Sequence, residues 1–344
     1  MNPFSFSQPE DRQDAIAQVA GNASFAGEAV RFIAGGTNIL DLMKEGVMLS
    51  GRLVDINRLP LDKIEEDEEG GLLLGATARN ADTAYNPLVR ERYPLLSAAI
   101  LAGASPQLRN MASNGGNLLQ RTRCYYFYDL ATPCNKREPN TGCGAIGGIT
   151  RQHAILGASE QCIATHPSDM CVALAALEAT VHVESARGKR AIPFAEFHRL
   201  PGEAPQYDTV LEADELITHI ALPDARRYAR HSAYLKIRER LSYAFALVSV
   251  AAALDIGSDG VIRSARIALG GVAHKPWRKP EAEALLEGAR PDPERFGQVA
   301  DALLDGARGQ GHNDFKIRLA RNTIVRALET AVQGTVTNTG ERHD

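Results

Sequence analysis

Hydrophobic spacing along the first sixty residues switches between helical and strand periods. Phe4 to Ala20 carries apolar and small residues at helical spacing (Ala15, Ile16, Val19), with Asp11 as the start signal. Arg31-Phe-Ile-Ala34 reads as a short strand running into Gly35-Gly36-Thr37-Asn38. A helical segment follows over Ile39 to Lys44, and Leu53 to Ile56 reads as the next strand. The unit is strand, glycine turn, helix, strand. Gly71-Leu-Leu-Leu-Gly75 predicts a further strand behind an acidic turn, Glu65 to Gly70. Pro94 to Gly103 has a helical pattern closed by its glycine. Ser105-Pro106 then reads as an N-cap followed by proline, opening a helix through Met111. It ends in a second turn, Ser113 to Asn117, whose two glycines permit close backbone approach.

Residues 122–163 show no period and hold Pro133, Pro139, a glycine-rich stretch and four cysteines. A long structureless segment inside a compact domain needs something to hold it, and a bound metal is a candidate. Beyond it, Ser168-Asp169 opens a helix with apolar Met170, Ala173, Leu174 and Leu177. Strands are expected at Thr180 to Glu184 and at Glu215 to Pro223, and the polar run Asp224 to His231 is the expected domain boundary. Three strands (Ala233–Ile237, Ala246–Ile256, Ile262–Leu269) precede helical segments near Pro280–Gly288, Phe296–Leu304 and Asp314–Gln333. Strands first and helices last predict an α+β C-terminal domain. The polar tail, 334–344, is expected to fray.

Composition narrows the function. Length 344 predicts about two domains, and 38 basic against 42 acidic residues, net −4, leave no footprint for nucleic acid. The longest apolar stretch, Tyr243 to Leu254, has 12 residues and is too short to span a bilayer. The start of the chain lacks a basic region followed by an apolar one, so no signal peptide is expected. All five cysteines fall between Cys124 and Cys171, which points to one local site.

A double glycine between strand and helix can cradle a phosphate on free N–H groups, although it more often makes an ordinary turn. Neither glycine segment matches the dinucleotide fingerprint or the P-loop. The cysteines are separated by 9, 8, 18 and 8 residues, without the short pairs of zinc ribbons or two-cluster ferredoxins. Cys171 sits on an apolar helix and suits an inert core position. Cys124, Cys134, Cys143 and Cys162 have proline, glycine and polar neighbours. Four thiolates are the ligand count of a [4Fe–4S] cluster or of structural zinc, and spacing does not choose. Tyr125 to Tyr128 reads as core or interface, Asp169 as a helix cap, and Lys236 with Arg238, Glu239 and Arg240 as a solvated strand end. No hydrolase motif or carboxylate pair is present.

Taken together, Ile33-Ala-Gly-Gly-Thr-Asn-Ile-Leu-Asp41, Gly115-Gly116-Asn117, Thr165-His-Pro-Ser-Asp169 and Lys236 with Ala246-Leu-Val-Ser-Val-Ala251 resemble the FAD-binding subunit of the xanthine dehydrogenase family of molybdenum hydroxylases. Asn117-Leu-Leu-Gln-Arg-Thr-Arg-Cys124, Pro133-Cys-Asn-Lys-Arg137 and Gly270-Gly-Val-Ala-His-Lys-Pro-Trp277 extend the likeness to the flavin subunits of periplasmic aldehyde oxidoreductases. The resemblance covers about Phe4 to Ala331 and implies an α+β fold. A PCMH-type (vanillyl-alcohol-oxidase-like) FAD-binding domain would occupy 1–223 as two α/β lobes, about 1–57 and 58–223, with an insertion at about 122–163. A C-terminal domain with a three-stranded sheet and a helical bundle would occupy 230–333.

It also implies site residues. FAD would lie on Phe32, Ile33, Ala34, Gly35, Gly36, Thr37, Asn38, Ile39 and Leu40, and on Ser113, Asn114, Gly115, Gly116 and Asn117. Thr165 and Asp169 would lie near its ribityl or adenosine portion, and Lys236 near the flavin ring. Cys124, Cys134, Cys143 and Cys162 would bind a [4Fe–4S] cluster, leaving Cys171 spare. The second turn commonly begins with threonine in this family; here Ser113 and Asn114 precede the glycines, and a hydroxyl is kept. The implied role is electron transfer. A molybdenum-cofactor large subunit would oxidise an aldehyde, and a [2Fe–2S] small subunit would relay electrons to FAD, in a heterotrimer. The competing expectations are a self-sufficient flavin reductase and a zinc-stabilised assembly subunit. The compartment would be the periplasm, by co-export with a signal-bearing partner, or the cytoplasm.

Overall fold

The computed structural model describes residues 1–20 and 29–336; of the expected frayed tail, 337–344 lies outside them. The first layer is a parallel sheet of β1 (Ser5–Ser7), β2 (Ala29–Ile33) and β3 (Ser50–Asp55), with β3 in the middle. The connection from β2 to β3 runs through the glycine turn and the Ile39–Lys44 helix, as a parallel crossover requires. Helix Arg12–Val19 begins where expected, with the Asp11 side chain accepting from Asp14 N. The residues just before it form β1 rather than more helix.

The second layer is a five-stranded antiparallel sheet. Its strands are β4 (Ile64–Glu66), β5 (Leu72–Gly75), β6 (Thr180–Ser185), β7 (Gly188–Pro193) and β8 (Leu216–Leu222), in the order β4-β5-β8-β6-β7. The expected acidic turn at 65–70 is partly β4, an edge strand whose Glu65 and Glu66 face water. Helices Pro94–Ala102 and Asp169–Ala176 pack beside this sheet in one large core. Asn80–Tyr85 and Pro87–Arg92 are also helical. Their polar sequence carries little apolar period, because Asn80 and Thr83 are buried as hydrogen-bonding groups.

The C-terminal sheet has four strands, not three. These are β9 (Ser232–Ile237), β10 (Val248–Ile256), β11 (Ile262–Gly270) and β12 (Trp277–Arg278), an edge strand of two residues too short to show a period. The longest apolar run enters β10 at Val248, and this strand is covered on both faces. Its small Ala251 and Ala253 pack into the core shared with the five-stranded sheet, while Val248, Val250, Ala252 and Leu254 face helices Pro293–Leu303 and Phe315–Val332. No helix among the described residues is long and apolar enough to cross a membrane.

Candidate functional site

Strand β2 delivers its last residue, Ile33, into the turn Ala34 to Asn38. Gly36 sits at φ +72°, a backbone conformation that favours glycine. A Cβ on Gly35 would lie 1.9 Å from the carbonyl oxygen of Met111, so the first glycine turn rests directly on the chain leading to the second. The second segment is a short helix, Asn114–Leu118, rather than an open turn, and Ser113 Oγ caps it by accepting from Gly116 N. Its Gly115 serves close approach, since a Cβ there would meet Ala76 at 3.1 Å.

Between these segments, the Asp169–Ala176 helix and the strand carrying Lys236 lies a cavity of about 790 Å³. This lies within the range of small-molecule and cofactor sites. Of the expected residues, Phe32 through Ile39, Ser113, Gly116, Asn117, Asp169 and Lys236 line it. Leu40 and Gly115 lie behind the wall, and Thr165 lines a small adjoining recess. Asn114 is fully buried away from the cavity, bonded to Gly75, Asn80 and Thr83, where it fixes the second segment to the sheet.

The cavity wall offers free donors. The N–H groups of Gly35, Gly36, Thr37 and Asn38 find no acceptor among the described residues. Asn38 Oδ1 accepts from Arg121 N at 2.8 Å, while its buried Nδ2 has no partner. Arg31 also lines the cavity, makes no ion pair among the described residues, and keeps a buried Nε without partner. Burial, and then the charge of Arg121, pulls its guanidinium down to about 10. Unpaired N–H groups and an unneutralised cation suit an anion such as a diphosphate.

On the opposite wall, Asp169 does not act as a cap, a role taken by Ser168 Oγ, which accepts from Cys171 N at 3.0 Å. The Asp169 carboxylate instead accepts from Tyr234 OH and Lys236 Nζ, both at 2.7 Å, and Lys236 Nζ also reaches Ala102 O at 3.1 Å. This buried pair replaces the solvated strand end expected for Lys236. A second buried network centres on Asp208, which pairs with Arg121 and Lys136 and lies 3.4 Å from His274 Nε2. Burial opposes ionisation of Asp208, but Arg121 and Lys136 overcome it and hold the carboxyl far below the usual carboxylate range.

The aperiodic segment 122–163 carries one short helix, Tyr125–Tyr128, and isolated bridges, one of them joining Cys134 to Cys143. Cys124, Cys134, Cys143 and Cys162 line a single small cavity, and none forms a disulfide. Ala164 N donates to Cys162 Sγ at 3.4 Å. Burial pushes the Cys124 thiol up to about 12 and the Cys162 thiol up to about 11. No three of the four sulfurs lie within 4.8 Å of one another. Cys171 is fully buried in the core helix, away from that cavity. Its sulfur lies beside ring nitrogens of His166 and His198.

Residues 2–225 match the family described as the FAD binding domain in molybdopterin dehydrogenase. The chain belongs to this family. Residues 232–331 match the CO dehydrogenase flavoprotein C-terminal domain. The chain is 51% identical over 303 residues to the aldehyde oxidoreductase FAD-binding subunit PaoB of Escherichia coli (strain K12), covering 88% of this chain and 91% of that protein. It is 28% identical over 300 residues to the glyceraldehyde dehydrogenase medium chain of Sulfolobus acidocaldarius, covering 87% and 86%. The solved carbon monoxide dehydrogenase from Hydrogenophaga pseudoflava which lacks the Mo-pyranopterin moiety superposes with a TM-score of 0.74 at 27% identity, over 96% of this chain and 98% of that one.

The protein is thus an FAD-binding subunit of the molybdenum hydroxylase type, and the donor set of its large cavity fits a dinucleotide flavin. Sequence reasoning misses Arg31 in the wall of the large cavity, and His153 in the recess beside it. Arg31 had one available signal, a lone charge inside the apolar strand Ala-Val-Arg-Phe-Ile. His153 had none, because its contact with Cys124 spans 29 residues of aperiodic chain.

Proposed function

We propose that this chain is the FAD- and [4Fe–4S]-carrying electron-transfer subunit of a molybdenum-dependent aldehyde oxidoreductase. FAD, when bound, supplies the capacity to take up two electrons and pass them on. The chain's own work is to hold and insulate it. Free amides at Gly35 to Asn38, the Asn38 side chain and Arg31 face the cavity as donors for the diphosphate. The Asp169–Lys236 pair, fixed by Tyr234 and Ala102 O, presents a rigid polar wall opposite them. Thr165 and Ser113 complete the site from the adjoining recess and the second segment.

The observation that carries the cluster half is the convergence of Cys124, Cys134, Cys143 and Cys162 on one cavity. Four thiolates on one cavity match the ligand count of a [4Fe–4S] cluster or of zinc, and the resemblance to cluster-bearing flavin subunits favours the cluster. The likeness to PaoB supports the aldehyde class, and the molybdopterin dehydrogenase family supports assembly with a molybdenum-cofactor large subunit, with the [2Fe–2S] small subunit added by the resemblance. The domain division follows the same reading, with FAD bound by 1–223 and the C-terminal domain at 230–333. Cluster insertion favours assembly in the cytoplasm, where the complex would stay or from which a signal-bearing partner would carry it folded to the periplasm.

The test is a visible spectrum with flavin, iron and sulfide analysis of the purified protein. One FAD and four irons per chain are expected, with iron lost in Cys134→Ser and kept in Cys171→Ala. A colourless protein with one zinc would overturn the reading in favour of an assembly subunit.

A further inference from the structure

One buried imidazole outside the flavin cavity has a single hydrogen-bonding partner, and that partner is a sulfur. His153 Nε2 lies 3.1 Å from Cys124 Sγ, and its other ring nitrogen, Nδ1, is buried without partner. The residue is 2% exposed. His153 does not line the cavity shared by the four cysteines. It reaches Cys124 from the adjoining recess, which also holds Thr165 and Asp169 and abuts the flavin cavity. Its place is therefore behind a cluster ligand.

The ring is aimed from the other domain. The His153 carbonyl accepts from Asn313 Nδ2 at 3.0 Å and from Lys316 Nζ at 2.8 Å, and both donor residues are fully buried. Lys316 Nζ also bonds Gly271 O at 2.5 Å, so the C-terminal helix clamps this point of the insertion to the end of β11. On the ring side, Tyr126 packs at 6.2 Å between centroids. The imidazole is held by packing and by its backbone, with one polar contact left for its edge.

We infer that His153 is a positioning residue that donates an Nε2–H···Sγ hydrogen bond to Cys124 and raises the reduction potential of the cluster. The inference rests on the [4Fe–4S] reading above. A ligating cysteine is a thiolate and can only accept, so the proton between these atoms belongs to the imidazole. Such a bond to an ionised acceptor stabilises negative charge on the sulfur. The reduced cluster carries one more electron than the oxidised one, so it gains more from the donor. Hydrogen bonds to cluster sulfurs are among the determinants of its potential.

The test compares wild type, His153→Phe and His153→Gln in the assembled complex, reading iron content and the midpoint potential of the [4Fe–4S] EPR signal. Phe keeps an aromatic ring and removes the donor; Gln restores an N–H. We expect unchanged iron, a lower potential in the Phe variant by about tenfold in the reduction equilibrium (59 mV for one electron), and recovery towards wild type in Gln. Iron retained with an unshifted potential would overturn the inference. For the case in which the Phe variant loses its cluster, the wild-type complex labelled with ¹⁵N-histidine decides. Electron spin-echo spectroscopy of the reduced cluster must show a weakly coupled imidazole nitrogen, and its absence refutes the bond. Wild type without iron removes the cluster reading itself, an outcome distinct from either.

Discussion

Replacing Gly35 by alanine attacks the contact that brings the two glycine segments together. The added Cβ would lie 1.9 Å from Met111 O, 2.7 Å from Met111 C and 3.1 Å from Ala112 Cα, all backbone atoms that no rotamer can move aside. Ordinary van der Waals separation at 3.4 Å requires the two chains to part by roughly 1.5 Å. Ser113 lies two residues beyond Met111 and lines the same cavity, so the parting widens the cleft from its base. Overpacking of this kind costs about 1–3 kcal/mol. If that strain is met by opening the site, affinity for FAD falls by about 5- to 150-fold. The assay is titration of the flavin-stripped protein with FAD, followed by flavin fluorescence, beside a melting curve that checks the fold. Gly36→Ala is the companion: its φ of +72° adds backbone strain, but its nearest contact is the movable end of Leu40, so it should cost less. FAD affinity at the wild-type level in Gly35→Ala would refute the contact, and with it the placement of the diphosphate between the two segments.

Other outcomes follow from the buried charges and the core. Lys236→Met leaves Asp169 buried with Tyr234 as its remaining side-chain donor, and should cost about 3–5 kcal/mol in a denaturant melt; a loss under 1 kcal/mol would mean the carboxylate is solvated. Cys171→Leu would overpack a fully buried site and should destabilise by about 1–3 kcal/mol in the same melt, with iron content unchanged. Burial foremost holds His198 down to about 4 and His274 down to about 3, so both are neutral in the folded protein. The unfolded chain protonates them near 6.5 and therefore binds more protons as pH falls below that value. Stability should drop by about 1.4 kcal/mol per pH unit for each histidine between pH 6.5 and 4, and a Tm that stays flat from pH 7 to 5 would contradict this.

Much of the scaffold is legible in the sequence because its signals are local. Asp11, Ser105 and Ser168 cap the helices they were expected to start, since an N-cap is decided by residues within one turn. The glycine turn after β2 is legible for the same reason. The second segment reads as a turn because its two adjacent glycines permit close backbone approach, yet Ser113 caps it and the sheet behind holds it helical. Asn114 looked like a ligand contact from its neighbours, whereas its side chain is spent on Asn80 and Thr83, more than thirty residues upstream. Lys236 reads as surface until Asp169, 67 residues away in sequence, is brought against it. The charge-bearing features of the site are tertiary, and only folding shows which charges meet.

On the proposed function, this chain passes on electrons that another subunit extracts. Anaerobic addition of an aldehyde to the complex assembled with its molybdenum and [2Fe–2S] partners should bleach the flavin absorption near 450 nm (a property of FAD), while the same addition to this chain alone should leave it unchanged. A flavin that is reduced by aldehyde in the isolated chain, or that stays oxidised in the active complex, would rule out that electron-transfer role.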